Sequence, residues 1–397
     1  MKILHIVPSI SLIYGGPSQM VIGLASALAK AGEEVTILTT DSNGDFGQAP
    51  LNVPLNQPIK QDGYEFEIIY FHCAPFRRYK FSLDLLKWLK THAKEFDIAH
   101  IHALFSPVTS AAATVCRQQN LPYILRPLGT LDPADLQKKK QLKQLYVELI
   151  ERRNLAGAAA VHFTSEQEAK ISERFGVKTK DLVIPLGVIP PQLNTEEVWS
   201  KLGIPSDKPV VLFMSRIDPK KGLDLLLPAL EKLLNDGLQF HFVLAGTNPQ
   251  DPIYEAKIQS EIENSPLNLH TTITGFVTGK VKTTLLKAAD LFVLPSYYEN
   301  FGIAVVEAMV AGTPVIISDQ VHIYQQVVDS ESGWVGTTDV ESLVELLKAA
   351  LSNPQECQRR GLNAQKYALQ NFSWDAIAQQ VIQAYQKIVV GQKNPQT

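Results

Sequence analysis

Residues 295–309 read PSYYENFGIAVVEAM, and two carboxylates, Glu299 and Glu307, bracket a glycine and a run of small apolar residues. Just upstream, LFVLPS (291–296) has the short apolar form of a buried strand. Gly302 then opens a helix, with Glu299 in the loop before it and Glu307 about a turn and a half into it. A strand leading through a loop into a helix is the repeating unit of a parallel α/β sheet. Ligands of such sheets bind outside the carboxyl ends of the strands. The plain alternative is a loop charge, a turn and a solvated helix residue, and the rest of the chain decides between the two.

The same alternation extends in both directions. KILHIV (2–7), EVTILTT (34–40), IIYF (68–71), IAHIHA (98–103), YILRP (123–127) and AAVHFT (159–164) read as strands, with a helix over 18–31 ending at Gly32. The pattern restarts after a proline-punctuated, strand-like VIPLGVIPP (183–191). VVLFMS (210–215), FHFVLAG (240–246), ITGF (273–276), LFVLPS and PVIIS (314–318) follow, with a helix from about 221 and a long amphipathic helix over 373–389. Residues 41–64 read as a long loop. Apolar strands alternating with helices mean sheets covered on both faces. The expected fold class is therefore α/β, with two Rossmann-like doubly wound domains joined near 184–192.

Composition narrows the function. The chain has 397 residues, 45% hydrophobic and 19% charged, with net charge −3. That suits two globular domains and argues against a nucleic-acid partner. No apolar run reaches the roughly 18 residues of a membrane-spanning helix. His5 and Pro8 interrupt the N-terminus, so a first strand is expected there and not a signal peptide. Cys73, Cys116 and Cys357 are scattered and read as reduced cytoplasmic thiols. Residues 71–155 hold fourteen Lys/Arg against seven acids, a local excess of seven positive charges.

The strand ends carry the chemistry. Gly15 and Gly16, after the first strand, allow close backbone approach and open a helix, but their spacing is not GxGxxG. His100 and His102 lie two apart on one strand, so both can face one way. A metal would require a third ligand, and none is evident. His102, at the strand end, is the better ligand-facing candidate; a core histidine is the alternative. SRIDPKKG (215–222) brings Arg216 and Lys221 to a strand end beside helix N–H groups, which suits a diphosphate. N–H groups around Gly302, Ile303 and Ala304 form a second anion site, with Glu307 in reach of a ribose diol and Glu299 on the far side, where a sugar's hydroxyls would be. The two acids then grip the ends of a nucleotide sugar and the helix start grips its middle.

These features together resemble the retaining GT-B glycosyltransferases of family 4, the group 1 glycosyltransferases. The resemblance runs in family order through the Gly15-Gly16 loop, HisIleHis, SRIDPKKG, TGFV (274–277), PSYYENFG with Glu299 and Glu307, and AGTPVI (311–316). It implies two domains facing across a cleft, with the C-terminal helix crossing back. The acceptor-side domain is 1–188 with 375–397, and the donor-binding domain is 189–374. Arg216 and Lys221 would hold the diphosphate, Glu307 the ribose and Glu299 the donor sugar. Phe301, Gly302 and Ile303 would supply backbone near the phosphates, and Phe276 and Val277 would touch the base. His102 would sit by the reacting sugar, Gly16 near acceptor and phosphate, and Gly15, Gly16 and Arg126 on the acceptor side. Where many relatives have Asn before Gly-Val at the hinge, this chain has Leu186. No Asp-x-Asp occurs, in keeping with transfer that requires no metal and no cofactor.

The implied activity is that of a retaining hexosyltransferase. It would move a sugar from a UDP- or GDP-sugar to a glycan, lipid-linked or small sugar acceptor, in polysaccharide or glycolipid biosynthesis. A nucleotide-sugar-binding regulatory protein and a nucleotide-sugar epimerase are the competing readings. The basic stretch 76–153 contains FRRYKF (76–81) and a helix-like run over 135–154, with Leu142, Leu145, Tyr146 and Leu149 on one face. It reads either as a solvated domain helix or as a peripheral contact with the anionic inner face of the plasma membrane.

Overall fold

The computed structural model describes every residue except 15, 46–47, 62, 75–79, 138–139, 191–200 and 394–397. The chain divides into two compact units, Met1–Gly187 with Trp374–Thr397, and Val188–Ser373.

The first unit is built on an eight-stranded sheet: β1 (Lys2–Ile6), β2 (Glu34–Thr40), β3 (Pro58–Ile59), β4 (Glu67–Phe71), β5 (Ile98–His102), β6 (Tyr123–Arg126), β7 (Ala160–Phe163) and β8 (Asp181–Val183). Their spatial order is β3-β4-β2-β1-β5-β6-β7-β8. All pairs are parallel except β3 with β4. Both faces are covered and carry an apolar core, as a parallel sheet requires. One face packs Ile3, Ile37, Ile68, Ile98 and Ile124 under the helices Gly16–Lys30 and Trp374–Lys393. The other packs Leu4, Ile6, Ile101, Leu125 and Phe163 under the helices Leu83–His92 and Pro107–Gln118. The C-terminal helix docks because Ile377, Ala378, Val381, Ile382 and Tyr385 form one stripe and are all buried. Each large member of such a stripe contributes about 1.5–3 kcal/mol. Trp374 lies against Gly23 and Gly187, where any side chain would meet its ring.

The second unit has six parallel strands: β9 (Val210–Met214), β10 (His241–Ala245), β11 (Thr271–Gly275), β12 (Leu291–Leu294), β13 (Val315–Ser318) and β14 (Gly333–Gly336), in the order β11-β10-β9-β12-β13-β14. In each sheet the winding direction reverses once, between β1 and β5 and between β9 and β12. In a sheet of this kind each reversal marks the ligand-binding position at the carboxyl ends of that sheet's own strands.

Three expectations are corrected. Of the strand-like run 183–191 only Val183 belongs to the sheet, with a single isolated bridge from Val188 to Ser373 beyond it, because Pro185 and Pro190 lack the N–H that a continuous ladder needs. The strand placed at 273–276 is Thr271–Gly275 and leaves Phe276 outside it. The loop 41–64 contains β3. The described residues of the helix-like run 135–154 are helical, with a π-helical turn, Val147–Glu151, between Lys140–Tyr146 and Arg152–Gly157.

Candidate functional site

The second unit gathers the larger share of the expected residues at its reversal point. After β9, Ile217 is buried and anchors the loop, and the Asp218 carboxylate accepts from Lys220 N at 3.0 Å to form the turn Pro219–Lys221. Arg216 projects outward, its Nε 3.6 Å from Asp218 and its Nη1 donating to Gln250 Oε1 at 3.3 Å. After β12, Tyr297 N donates to Lys220 O at 2.8 Å and the Tyr297 hydroxyl donates to Asp224 at 2.8 Å. These bonds tie the two loops together. Gly222 makes that approach possible: it has φ +72°, and a Cβ there would strike the Pro295 carbonyl.

Glu299 is fixed by its backbone, which donates to Gln320 O at 3.2 Å and accepts from His322 N at 3.0 Å. Its carboxylate accepts from the Lys221 ammonium. Gly302, at φ +78°, caps the helix Ile303–Ala311. Val306 is the first residue to donate back along that helix, to Gly302 O at 3.1 Å. The N–H groups of Ile303, Ala304 and Val305 thus lie outside the helical ladder and point to the carboxyl end of the sheet. Phe301 is buried edge-on against Phe372 and holds the cap down. Glu307 follows on the same helix, and Lys282 Nζ donates to its Oε1 at 2.5 Å. Phe276 is 77% exposed, and Val277 is half-buried beside it. So Arg216, Lys221, Glu299, Phe301, Gly302, Ile303 and Glu307 lie on the loops and helix at the strand reversal. Lys282 was missed; its only sequence signal is a lysine in the first turn after TGFV.

The first unit holds a different constellation. Register pairs His5 with His100 and His102 with Arg126. His5, His100, His102, Arg126 and His162 therefore share one sheet face, and all are buried. The third imidazole that the sequence reading did not find is His5: it, His100 and His102 bring ring nitrogens within 4.8 Å of one another. The arrangement does not suit a divalent cation, because the Arg126 guanidinium acts on the same rings and both His100 nitrogens are engaged. It forms a directed hydrogen-bond chain instead. His162 Nε2 faces the Ile184 carbonyl at 2.8 Å and must donate to it. Its Nδ1 then accepts from His100 Nε2 at 3.2 Å, and His100 Nδ1 accepts from the Tyr385 hydroxyl at 2.7 Å. His5 Nδ1 and His102 Nε2 share a separate bond of 2.9 Å.

Burial, reinforced by Arg126, pushes His5 and His162 down to about 3. Burial also holds His100 and His102 well below the usual imidazole range. Burial lowers Arg126 to about 10 against the opposing pull of Glu168. His102 and Arg126, expected beside the reacting sugar and the acceptor, are thus 0% and 2% exposed. His102 Nδ1, Arg126 Nε and Arg126 Nη2 have no hydrogen-bond partner among the described residues. Just beyond these strand ends, Ala103, Phe105 and Leu128 have left-handed backbones (φ +75°, +58° and +57°). Such strain in non-glycine residues is typical of functional loops. Gly16 begins the helix after β1, and Gly15 lies outside the described residues, as do residues 76–79 and 138–139 of the basic stretch. Leu142, Leu145 and Leu149 are 58–61% exposed along one face. No helix among the described residues is long and apolar enough to cross a membrane.

Known proteins match this chain along almost its whole length. A family model described as Glycosyl transferase 4-like domain matches residues 15–187, and one described as Glycosyl transferases group 1 matches residues 194–367. Alpha-maltose-1-phosphate synthase of Mycolicibacterium smegmatis is 30% identical over 207 residues, 49% of this chain. The chain spans about half the length of the first curated relatives it matches, 53% and 51%. Among solved structures, sucrose-phosphate synthase from Thermosynechococcus elongatus superposes with a TM-score of 0.77 at 24% identity, over 98% of this chain and 100% of that one. Anabaena HepE, solved in complex with UDP-glucose, superposes with a TM-score of 0.70 at 20% identity, over 97% and 99%. Two parallel sheets, each reversing once, and two family models in sequence lead to one assignment: the chain belongs to the group 1 glycosyltransferases and has the GT-B fold.

Proposed function

We propose that this protein transfers a hexosyl group from a nucleoside-diphosphate sugar to a hydroxyl acceptor with retention of configuration, in polysaccharide or glycolipid synthesis. The observation that carries the proposal is the pair of acids flanking one helix start, Glu299 and Glu307, beside the cations Arg216 and Lys221. The diphosphate lies against the N–H groups of Ile303 and its neighbours, with Arg216 and Lys221 on its oxygens. Glu307 accepts from the ribose diol, Phe276 and Val277 meet the base, and Glu299 accepts from the hydroxyls of the donor sugar. His102 sits by the reacting sugar, and Gly16 and Arg126 serve the acceptor side.

In the reaction the bond from the anomeric carbon to the β-phosphate oxygen breaks, and the acceptor oxygen bonds to that carbon on the same face. The acceptor's proton passes to the departing phosphate, and the nucleoside diphosphate leaves. The barrier lies in the charge growing on that phosphate, which Arg216, Lys221 and the helix start are arranged to meet. In this reading those cations take the place of a metal. Glu299, held by Lys221, contacts the sugar and is not a nucleophile. Intact-mass spectrometry of the protein mixed with its donor should therefore show no glycosylated protein, and Glu299→Ala should lose transfer without gaining an adduct. A covalent glycosyl-protein would overturn the same-face displacement.

The exposed leucines favour a second element, peripheral binding to an anionic membrane that presents a lipid-linked acceptor. Leu142, Leu145 and Leu149 would enter the headgroup region, with Lys143 beside them. Flotation with anionic vesicles should carry the protein at low salt and release it at high salt. Protein that stays at the bottom of the gradient at low salt removes this element.

A further inference from the structure

We infer that Lys282 is a positioning residue for ribose recognition, holding the Glu307 carboxylate in the orientation that accepts from the nucleotide's 2′,3′-diol. This inference rests on the donor site proposed above. Two Lys–Glu pairs flank the helix Ile303–Ala311, and they come from different parts of the unit. Lys221, from the loop after β9, engages Glu299; Lys282, from the helix Gly279–Ala288, engages Glu307. The first pair lies where a diphosphate and a sugar would compete for its members. The second joins Glu307, on that helix, to the helix that follows the base loop Phe276-Val277.

The geometry shows what Lys282 does there. Val305, Val306, Ala308 and Met309 are buried and fix the backbone of Glu307. Thr284, Leu285 and Leu286 are buried and fix the helix that carries Lys282. Neither anchor restrains the torsions of the Glu307 side chain. The 2.5 Å contact from Lys282 Nζ does, and it uses Oε1, so Oε2 remains available to a hydroxyl. Oε1 also keeps a second lone pair for the neighbouring hydroxyl. A carboxylate already held in place loses less side-chain freedom when the diol binds. Lys282 is 34% exposed and Glu307 22%, so the pair is within reach of a ligand and is not part of the core.

The test is calorimetric binding of UDP and GDP and of their 2′,3′-dideoxy counterparts to wild type, Lys282→Met, Lys282→Arg and Glu307→Gln. Lys282→Met keeps the apolar stem and removes the charge. For the ribonucleotide that binds, it should weaken affinity about three- to tenfold, the cost of ordering one free side chain. The same substitution should change affinity for the dideoxy analogue less than twofold, and Lys282→Arg should restore part of the loss. An equal loss on both nucleotides would overturn the inference, because Lys282 would then act on the base or phosphates directly. If Glu307→Gln also fails to distinguish ribo- from dideoxynucleotide, the fault lies in the ribose role of Glu307. If Glu307→Gln distinguishes them and Lys282→Met does not, only the positioning role falls. A merely structural lysine would shift thermal stability and leave the ratio of the two affinities unchanged.

Discussion

Lys221→Ala should lower kcat for glycosyl transfer by about 10²–10³, the usual cost of removing one preorganised group from a charge that develops in the transition state. The expected loss has two sources. The ammonium no longer meets the leaving diphosphate, and Glu299, which it engages, is left as an unpaired anion beside the phosphate position. These sources can be separated. Adding Glu299→Gln to Lys221→Ala removes the repulsion, so the double variant should recover affinity for the free nucleoside diphosphate without recovering kcat. Arg216 and the helix start remain in both proteins, so residual turnover is expected. Lys221→Ala with kcat within threefold of wild type would contradict the role. A double variant that binds the diphosphate no better than the single one would show that the Lys221–Glu299 pair does not control access to the phosphate position.

The second large effect is on stability and not on turnover. Four histidines are buried as neutral rings on one face of the first sheet. In the unfolded chain each takes up a proton near its ordinary value of 6.5; in the folded chain His5 and His162 resist until about 3, and His100 and His102 are also pushed well down. The folded values are the lower ones, so the unfolded state binds more protons throughout the interval. Stability is therefore complete above pH 6.5 and is lost as pH falls from 6.5 towards 3. Each ring adds a slope of about 1.4 kcal/mol per pH unit, so four give about 5 kcal/mol per unit. A typical total stability of about 5–15 kcal/mol is then consumed within about one to three units. Urea midpoints measured from pH 7 to pH 4.5, above the range where carboxylates dominate, should fall steeply, and His162→Gln should flatten the slope by about a quarter. Stability that holds constant between pH 6.5 and 5 would contradict the neutral histidine cluster.

Much of the second unit's site was legible in the sequence because its parts are contiguous. SRIDPKKG and PSYYENFG each place strand, loop and helix start within a few residues, so carboxyl-end chemistry can be assigned from one stretch at a time. What was not legible depends on strand order and on docking. His5 becomes a neighbour of His100 only because β1 lies beside β5, and the chain from Tyr385 to His100 joins residues 285 apart. The sequence did carry a trace of it, a histidine inside each of three otherwise apolar strands, KILHIV, IAHIHA and AAVHFT. Lys282 escaped for a related reason: its partner lies 25 residues away on another helix. At 183–191 Val and Ile favour an extended strand, but Pro185 and Pro190 interrupt its pairing. Gly187 is explained by packing, since Trp374 of the returning helix lies where its side chain would be. At Arg126 the sequence showed a charged residue at a strand end but not that the side chain turns into the sheet's buried face.

The central claim is tested most directly by following UDP-, GDP- and ADP-hexoses by proton NMR in the presence of the protein and EDTA, with Glu307→Ala as the control. The account predicts that one donor is consumed, that the anomeric configuration of the released or transferred sugar matches that of the donor, and that Glu307→Ala abolishes the consumption. Isomerisation of a donor without loss of its diphosphate, or binding of a donor with no cleavage under any acceptor, would contradict it.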